Sequence, residues 1–298
     1  MKNYLIVTDT TSAMNGVQAK ESGIELVSLS VLIDGIEYKD QIDISTEELY
    51  KKLEAGCIPT TSQPNTGYLH ELMANWKAKN YEAIIIITCS SDLSGTWSGF
   101  NLVKNQLEMN NMYIYDSRQV GAPVMDMALA AKQMADNDHD VNEIFEMLEM
   151  KTKNSFSFLA PFDFKQLARS GRLSPVAAKM ASILKVKALL YLKEDGSCVD
   201  KYAMSRTESK IVKTVIDKFK NAGVNAKDYT LYISHADNEE SALKAKRLLQ
   251  DIFDNIEVIV NKLPAVLTCH GGMKCISVHY IHKLSLIHIS EPTRHAQI

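Results

Sequence analysis

The stretch AIIIITCSSDLSGTWSGF, residues 83–100, decides the fold of this 298-residue chain. It opens with an apolar run, Ala83 to Thr88, whose β-branched residues are typical of a strand buried on both faces of a sheet. A hydroxyl-rich loop over residues 89–96 follows, and the spacing of Trp97 and Phe100 then predicts the buried face of a helix. A strand, a loop and a helix in this order predict an α/β sheet.

The loop over residues 89–96 is suited to bind an anionic group. It lies at the carboxyl end of a strand and opens a helix, so it offers unpaired backbone N–H groups, the positive end of a helix dipole and several hydroxyl donors. A simpler interpretation is that Ser94 only caps the helix, because serine is among the commonest N-cap residues. Both interpretations are open at this point.

The rest of the first half repeats the same alternation. A strand over residues 4–7 ends in a second hydroxyl-rich loop, and Asp34-Gly35 predicts a hairpin. Ser45 and Glu48 form a capping box that starts a helix at Thr46. A third polar loop spans residues 59–66, a strand spans 112–115 and a helix spans 120–134. Since ligands bind at the carboxyl ends of parallel strands, the Ser, Thr and Asp residues that end these strands are candidate site residues.

The pattern changes near residue 153, which predicts a boundary between an N-terminal α/β domain (1–153) and a C-terminal α+β domain (154–283). The second domain is predicted to contain strands over 155–160, 230–234 and 256–260, helices over 176–184, 209–219 and 238–253, and a hairpin at Asp195-Gly196. Residues 263–272 are predicted to be extended and to end beside His270. The tail over 284–298 shows no period that joins it to this domain, and we expect it to be a non-native appendage.

Composition excludes several classes of function. The net charge of −3 and the lack of any lysine or arginine block argue against a nucleic-acid-binding protein. Five scattered cysteines without a C-x-x-C pair favour a reducing cytoplasm and no metal site. No signal-peptide pattern and no apolar run of membrane-spanning length occur in the sequence. We therefore predict a cytoplasmic protein without a metal or another cofactor.

An ordered series of short motifs resembles the DegV family of fatty-acid-binding proteins. The motifs are TDTTS (8–12), TTSQP (60–64), SSDLSGT (90–96), YDSRQVG (115–121), LARSGRLS (167–174), a DG hairpin leading to Ser-Arg-Thr (205–207), and the histidine-glycine segment at His270. The sequence departs from the family where Met273 and Lys274 replace a Gly-Pro-Gly element, and where Ala188 replaces a proline after Lys187.

The resemblance implies a two-domain protein that holds one long-chain fatty acid, with the carboxylate at the domain junction and the acyl chain in an apolar tunnel. It also implies that the protein presents the fatty acid to an ATP-dependent kinase subunit and that it contacts membranes transiently. By position, the carboxylate partners are Thr61, Ser62, Ser94, the backbone N–H of Gly95, and His270. The kinase-docking residues are Arg169 and Arg172. Candidate tunnel residues, each also typical of ordinary core, are Phe156, Phe158, Phe162, Phe164, Met180, Ile183 and Leu184.

Two other functions are alternatives. A serine acyl hydrolase would use Ser94 as nucleophile, His270 as base and Asp9 or Asp116 to orient it, but the sequence has no G-x-S-x-G elbow. A regulatory module for another small acid is also open, because polar loops do not reveal the length of a ligand. A kinase acting alone is disfavoured, because neither G-x-x-x-x-G-K-[ST] nor G-x-G-x-x-G occurs.

Overall fold

Strands and helices alternate through the first half of the chain in the computed structural model, which describes residues 2–162, 164–179 and 186–284. In chain order they are β1 (Tyr4–Asp9), α1 (Gly16–Ser22), β2 (Glu25–Val27), β3 (Ser30–Ile33), β4 (Ile36–Lys39), α2 (Thr46–Glu54), β5 (Thr60–Ser62), α3 (Thr66–Ala78), β6 (Ala83–Thr88), α4 (Thr96–Gln106), β7 (Met112–Asp116), α5 (Ala122–Asp136) and α6 (Val141–Lys153). The capping box of Ser45 and Glu48 is present, and it starts α2 at Thr46 as predicted.

A parallel sheet with the strand order β2-β1-β6-β7 forms the centre of the first half. Every residue of β6 is buried, because helices cover both faces of the sheet. Ile85 and Ile87 pack on one face, and Ile84 and Ile86 pack on the other. Burying each isoleucine contributes about 1.5–3 kcal/mol relative to leaving it exposed, so the predicted strand is a main source of stability.

A small antiparallel sheet of order β4-β3-β5 lies beside the parallel one. Asp34 and Gly35, both with positive φ, turn the chain between β3 and β4 as predicted. The prediction that residues 59–66 are only a loop was wrong, because Thr60–Ser62 pairs with the free edge of β3. A strand of three polar residues between prolines shows no hydrophobic alternation, and only the tertiary pairing reveals it.

The second half contains β8 (Ser155–Ala160), α7 (Phe164–Arg169), α8 (Pro175–Lys179), β9 (Lys187–Leu192), β10 (Val199–Ser205), α9 (Glu208–Asn221), β11 (Tyr229–His235), α10 (Glu239–Ile252), β12 (Val258–Lys262), α11 (Ala265–Gly271) and β13 (Ile276–His282). Its strands form one sheet of order β10-β9-β8-β13-β11-β12, in which the β11–β12 pair is parallel and the other pairs are antiparallel. The predicted fold class, a parallel α/β sheet followed by an α+β part, is confirmed.

Two faces of this second sheet differ in chemistry. Phe156 and Phe158 of β8 and Tyr280 of β13 join Phe219 of α9 in an aromatic core on one face. Because side chains alternate along a strand, the residues between them point to the opposite face. That opposite face meets the first half of the chain, since Ile281 packs in the same cluster as residues of α5 and β6.

Buried polar contacts also join the two halves. The Nζ atom of Lys151 lies 2.5 Å from Oδ1 of Asp126 and 2.8 Å from the carbonyl oxygen of His282. The hydroxyl of Tyr232 donates to Oδ2 of Asp126 at 2.9 Å. Removing one partner of such a buried ion pair typically costs about 3–5 kcal/mol, so this cluster holds the second sheet against α5 and α6.

Several predicted boundaries need correction. Residues 265–271 form the helix α11 rather than an extended run, because Pro264 starts a helix whose apolar residues are buried on most sides and show no clear period. The strand β13 was not predicted at all. Helix α5 begins at Ala122, after Gly121 with a φ of 76°. Helix α8 begins at Pro175, and the predicted helical residues 180–184 lie outside the described part of the chain.

No helix among the described residues is both long and apolar enough to cross a membrane. All but the first residue of the predicted tail, residues 285–298, lie outside the described ranges. The predicted domain boundary at residues 153 and 154 stays a prediction, although the parallel sheet uses only residues before it and the six-stranded sheet only residues after it.

Candidate functional site

A cavity of about 160 Å³ lies where the strand ends of the first half face the second sheet and α11. Most of its surface is apolar, and the apolar residues that line it are Leu29, Leu93, Val120, Phe158, Leu159, Leu167, Leu192, Val199, Leu263, Val266 and Leu267. The polar part comprises Thr11, Thr61, Ser62, Gln63, Cys89, Ser94, Ser157, Arg172, His270, Ser277 and His279. A cavity whose surface is largely apolar and carries polar groups at defined points is typical of a small-molecule site.

Thr61 and His270 meet in the wall of this cavity, although 209 residues separate them in the sequence. Oγ1 of Thr61, on β5, lies 2.8 Å from Nε2 of His270, on α11. Burial, followed by the positive charge of Arg172, lowers the pKa of His270 to about 4. The ring is therefore neutral near pH 7. In either tautomer, the pair uses one hydrogen internally and keeps one N–H or O–H to offer to a ligand.

Asp40 fixes the start of the helix that carries His270. Its Oδ2 accepts a hydrogen bond from the backbone N–H of Val266 at 3.3 Å. The carboxyl is completely buried, and Oδ1 has no hydrogen-bond partner among the described residues. Burial raises the pKa of Asp40 to about 7, although backbone N–H groups at the start of α11 stabilise its charged form. Protonation of Asp40 and the position of α11 are consequently coupled.

The loop before α4 forms another part of the cavity wall. The hydroxyl oxygens of Ser94 and Thr96 lie 2.9 Å apart. Ser94 is not the N-cap residue of α4, because Gly95 occupies that position. A Cβ atom built on Gly95 would lie 1.8 Å from Oε1 of Gln63, so the lack of a side chain lets Gln63 lie against the loop. Ser94 and Gly95 therefore face the cavity together with Thr61 and Ser62.

Arg172 contributes a full positive charge to this wall. Its Nε donates to the carbonyl oxygen of Leu93 at 3.2 Å, and its Nη1 donates to the carbonyl oxygen of Ser170. Arg172 is only partly exposed and lies close enough to His270 to lower its pKa. Arg169, the other predicted docking residue, is exposed and does not line the cavity. The structure thus separates two arginines that the sequence analysis treated as a pair.

The buried carboxylate of Asp9 supports the same edge of the sheet. Its Oδ1 accepts hydrogen bonds from the backbone N–H of Thr11, at 2.8 Å, and from the Thr11 hydroxyl. Burial raises the pKa of Asp9 to about 6, while the bonds from Thr11 lower it. Burial also raises the pKa of the neighbouring Cys89 thiol, so this cysteine is not a reactive thiolate. The role of Asp9 is to hold Thr11 in the cavity wall.

A second polar group lies in the wall formed by β8 and β13. Nδ1 of His279 lies 2.8 Å from Oγ of Ser157, and Nε2 lies 3.0 Å from Oγ of Ser277. Burial lowers the pKa of His279 to about 3, so the ring is neutral. Among the described residues, no group of three or more His, Cys, Asp or Glu side chains is arranged to hold a metal ion.

Comparison with known proteins assigns the family. Residues 3–283 match the profile described as "Uncharacterised protein, DegV family". The chain belongs to the DegV family.

The DegV relatives include a DegV domain-containing protein of Halalkalibacterium halodurans, 28% identical over 95% of this chain and 100% of its own length. A protein of Thermotoga maritima named fatty acid-binding protein is 26% identical over 90% of this chain and 93% of its own length. A crystal structure of DegV from Bacillus subtilis, a fatty acid binding protein, superposes on this chain with a TM-score of 0.84 at 25% identity. The superposition covers 95% of this chain and 100% of the Bacillus subtilis chain.

The five predicted carboxylate partners all line one cavity of this DegV protein, but their role as ligands stays a prediction. The sequence analysis missed Gln63, Ser157, Ser277 and His279, and it placed Arg172 at a docking surface only. The alternation of serine and phenylalanine over residues 155–158 was the available signal for Ser157. Of the tunnel candidates, Phe158 lines the cavity, Phe156 packs in the aromatic core, and Phe162 is 76% exposed. Phe164 packs against leucines that line the cavity, and Met180, Ile183 and Leu184 lie outside the described residues.

Proposed function

We propose that this DegV-family protein binds one long-chain fatty acid in the cavity between its two halves. The observation that carries the proposal is the combination of a largely apolar wall with the hydrogen-bonded Thr61–His270 pair in it. Each methylene removed from water contributes about 0.8 kcal/mol, so the apolar wall supplies most of the affinity. The bound molecule is oriented by its carboxylate, which needs several donors to offset its loss of hydration.

The donors for this carboxylate are the hydroxyls of Thr61, Ser62 and Ser94, the backbone N–H of Gly95, and His270. These groups offer directional bonds without charge, because the ring of His270 is neutral near pH 7. Arg172 adds a full positive charge, and it is the one arginine or lysine among the described residues that line the cavity. Its presence supports tighter binding of an anion than hydroxyls alone would give.

A fatty acid held in this way is the substrate of a second protein. We propose that an ATP-dependent kinase subunit in the cytoplasm phosphorylates the bound carboxylate, and that Arg169 and Arg172 form part of the surface on which it docks. Arg169 is exposed and belongs to the segment 167–174, which also supplies Leu167 and Arg172 to the cavity wall, and this position supports the docking role. Phe162 and Val176, which are 76% and 60% exposed, flank the same segment and support transient contact with a membrane surface. The free thiols of the five cysteines agree with a reducing compartment.

The serine hydrolase alternative receives no support from the described hydrogen bonds. His270 is paired with Thr61 rather than with Ser94, and Ser94 is paired with Thr96. The two candidate orienting carboxylates have other partners, since Asp9 accepts from Thr11 and Asp116 accepts from Ser91. A nucleophile and its base need a direct hydrogen bond, so lipid binding is the better proposal.

Titration with palmitate and with its methyl ester tests the proposal. The ester keeps the acyl chain and removes the negative charge, so a carboxylate-binding site should prefer palmitate by at least about tenfold. Adding an ATP-dependent fatty-acid kinase subunit should then yield acyl phosphate only when the protein is present. Equal affinity for acid and ester would refute the carboxylate site, and release of free acid from the ester would favour the hydrolase.

A further inference from the structure

We infer that the His279–Ser157–Ser277 cluster is a second specificity site, which binds an oxygen substituent carried part-way along the acyl chain. This inference rests on the proposed function. The cluster lies in the wall of the same cavity, its hydrogen bonds do not involve the Thr61–His270 pair, and neither the carboxylate nor its partners account for it. A fatty acid that bears one hydroxyl or keto oxygen is the class of ligand that would use it.

The cluster belongs to the same cavity as the carboxylate end. Leu267 precedes His270 by one turn of α11, so the two side chains lie on one face of that helix. A Cβ atom built on Gly121 would lie 3.9 Å from both Leu267 and His279, which places Gly121 against both of these side chains. An acyl chain anchored at His270 would therefore pass Leu267 and Gly121 before it reaches His279.

The strand geometry aims the cluster at the ligand rather than at the core. Ser157 of β8 pairs in register with His279 of β13, and Ser277 lies two residues before His279 on the same face. The opposite face carries the aromatic core of the second sheet. Three polar side chains in a buried sheet face are costly unless they are hydrogen-bonded, and here they bond to one another while lining a cavity.

Counting the hydrogens shows what the cluster can offer. A neutral histidine has one N–H and one bare nitrogen, so it donates to one serine and accepts from the other. The serine that donates to the bare nitrogen has used its only hydrogen, whereas the serine that accepts keeps its own. Within the described part of the chain, the hydrogen bonds of Ser157 and Ser277 go to His279 alone. In either tautomer, one hydroxyl hydrogen and several oxygen lone pairs remain for a ligand.

One free hydroxyl hydrogen and nearby oxygen lone pairs are the partners that a single oxygen atom on the ligand needs. A hydroxyl on the acyl chain could accept the spare hydrogen and donate its own to a serine oxygen, and a keto oxygen could accept the spare hydrogen. Elsewhere along the apolar wall, the same oxygen would lose its water without finding a partner, which would weaken binding by about tenfold or more. The cluster should therefore select the position of the substituent along the chain.

The experiment compares stearate with a series of hydroxystearates that differ only in the position of the hydroxyl, titrated into the unaltered protein. One position should bind at least as tightly as stearate, and the other positions should bind at least about tenfold more weakly because their hydroxyl is desolvated without a partner. A uniform loss of affinity at every position would overturn the inference. Failure of stearate itself to bind would instead refute the proposed function, and the inference with it.

Variants assign the effect to the cluster. Replacing Ser157 and Ser277 together by alanine should remove the preference for the favoured position while stearate binding changes by less than about threefold. Ser155→Ala is the matched control, because Ser155 is also buried in β8 but donates to the carbonyl oxygen of Lys151. Should the alanine variant fail to fold, Ser157→Cys combined with Ser277→Cys fills the same space and replaces each hydroxyl donor by a weaker thiol donor. Persistence of the positional preference in either variant would contradict the assignment.

Discussion

Replacing Thr61 by valine tests the carboxylate end of the site with little change in shape. The hydroxyl of Thr61 lies 2.8 Å from Nε2 of His270, and valine exchanges it for a methyl group. The variant loses a donor for the ligand and leaves a ring nitrogen without its partner. Losing a hydrogen bond to a charged group costs about 1.5–3 kcal/mol, which corresponds to a rise in Kd for palmitate of about tenfold to a hundredfold.

Two control variants make the Thr61 result specific. Thr61→Ser keeps the hydroxyl, so it should bind palmitate within a few-fold of the unaltered protein. Thr60→Val changes the neighbouring residue of β5, which is exposed and does not line the cavity, so it should bind normally. The assay is calorimetric titration, with thermal unfolding to confirm that each variant is folded. If Thr61→Val bound palmitate as Thr60→Val does, Thr61 would have no part in holding the carboxylate.

Three further predictions address other parts of the site. Ser94→Ala should raise the Kd for palmitate about tenfold in titration while the variant stays folded, because Gly95 is the N-cap of α4 and the bond that Ser94 accepts from the backbone N–H of Thr96 is long, at 3.4 Å. Arg172→Gln should weaken palmitate binding and slow acyl-phosphate formation; loss of the kinase reaction alone would limit Arg172 to docking. Asp40→Asn should remove a pH dependence of stability measured by urea unfolding. Because burial raises the pKa of Asp40 from 3.8 to about 7, its contribution to stability is full below the lower value and is lost as the pH rises through the higher one. The loss is at most about 4 kcal/mol, and an unchanged pH profile in the variant would contradict the assignment to Asp40.

Local sequence was sufficient where the structure depends on neighbouring residues. The strand Ala83–Thr88 was predicted with its observed bounds, because a run of β-branched residues has few alternatives to a buried strand. The start of α2 was also predicted correctly, because Ser45 and Glu48 bond to each other's backbone within one turn of the helix. Both elements carry their own determinants.

Long-range pairing decided what the sequence could not show. β5 is a strand only because the edge of β3 is free to pair with it, and α11 is a helix that Asp40, 226 residues away from Val266, helps to start. His279 was overlooked because its strand, β13, was not predicted, so nothing marked it as facing a cavity. Arg172 was assigned to a surface because two arginines around a Ser-Gly turn give no sign that one of them turns inward.

Mass spectrometry of the lipid that co-purifies with the protein tests the central proposal most directly. The full chain would be purified from bacterial cells, weighed under native conditions and extracted with organic solvent. We expect a complex with one fatty acid per chain, and we expect the Thr61→Val variant to retain less of it. A native mass equal to that of the chain alone, no fatty acid in the extract, and no binding of added palmitate would together contradict the proposed function.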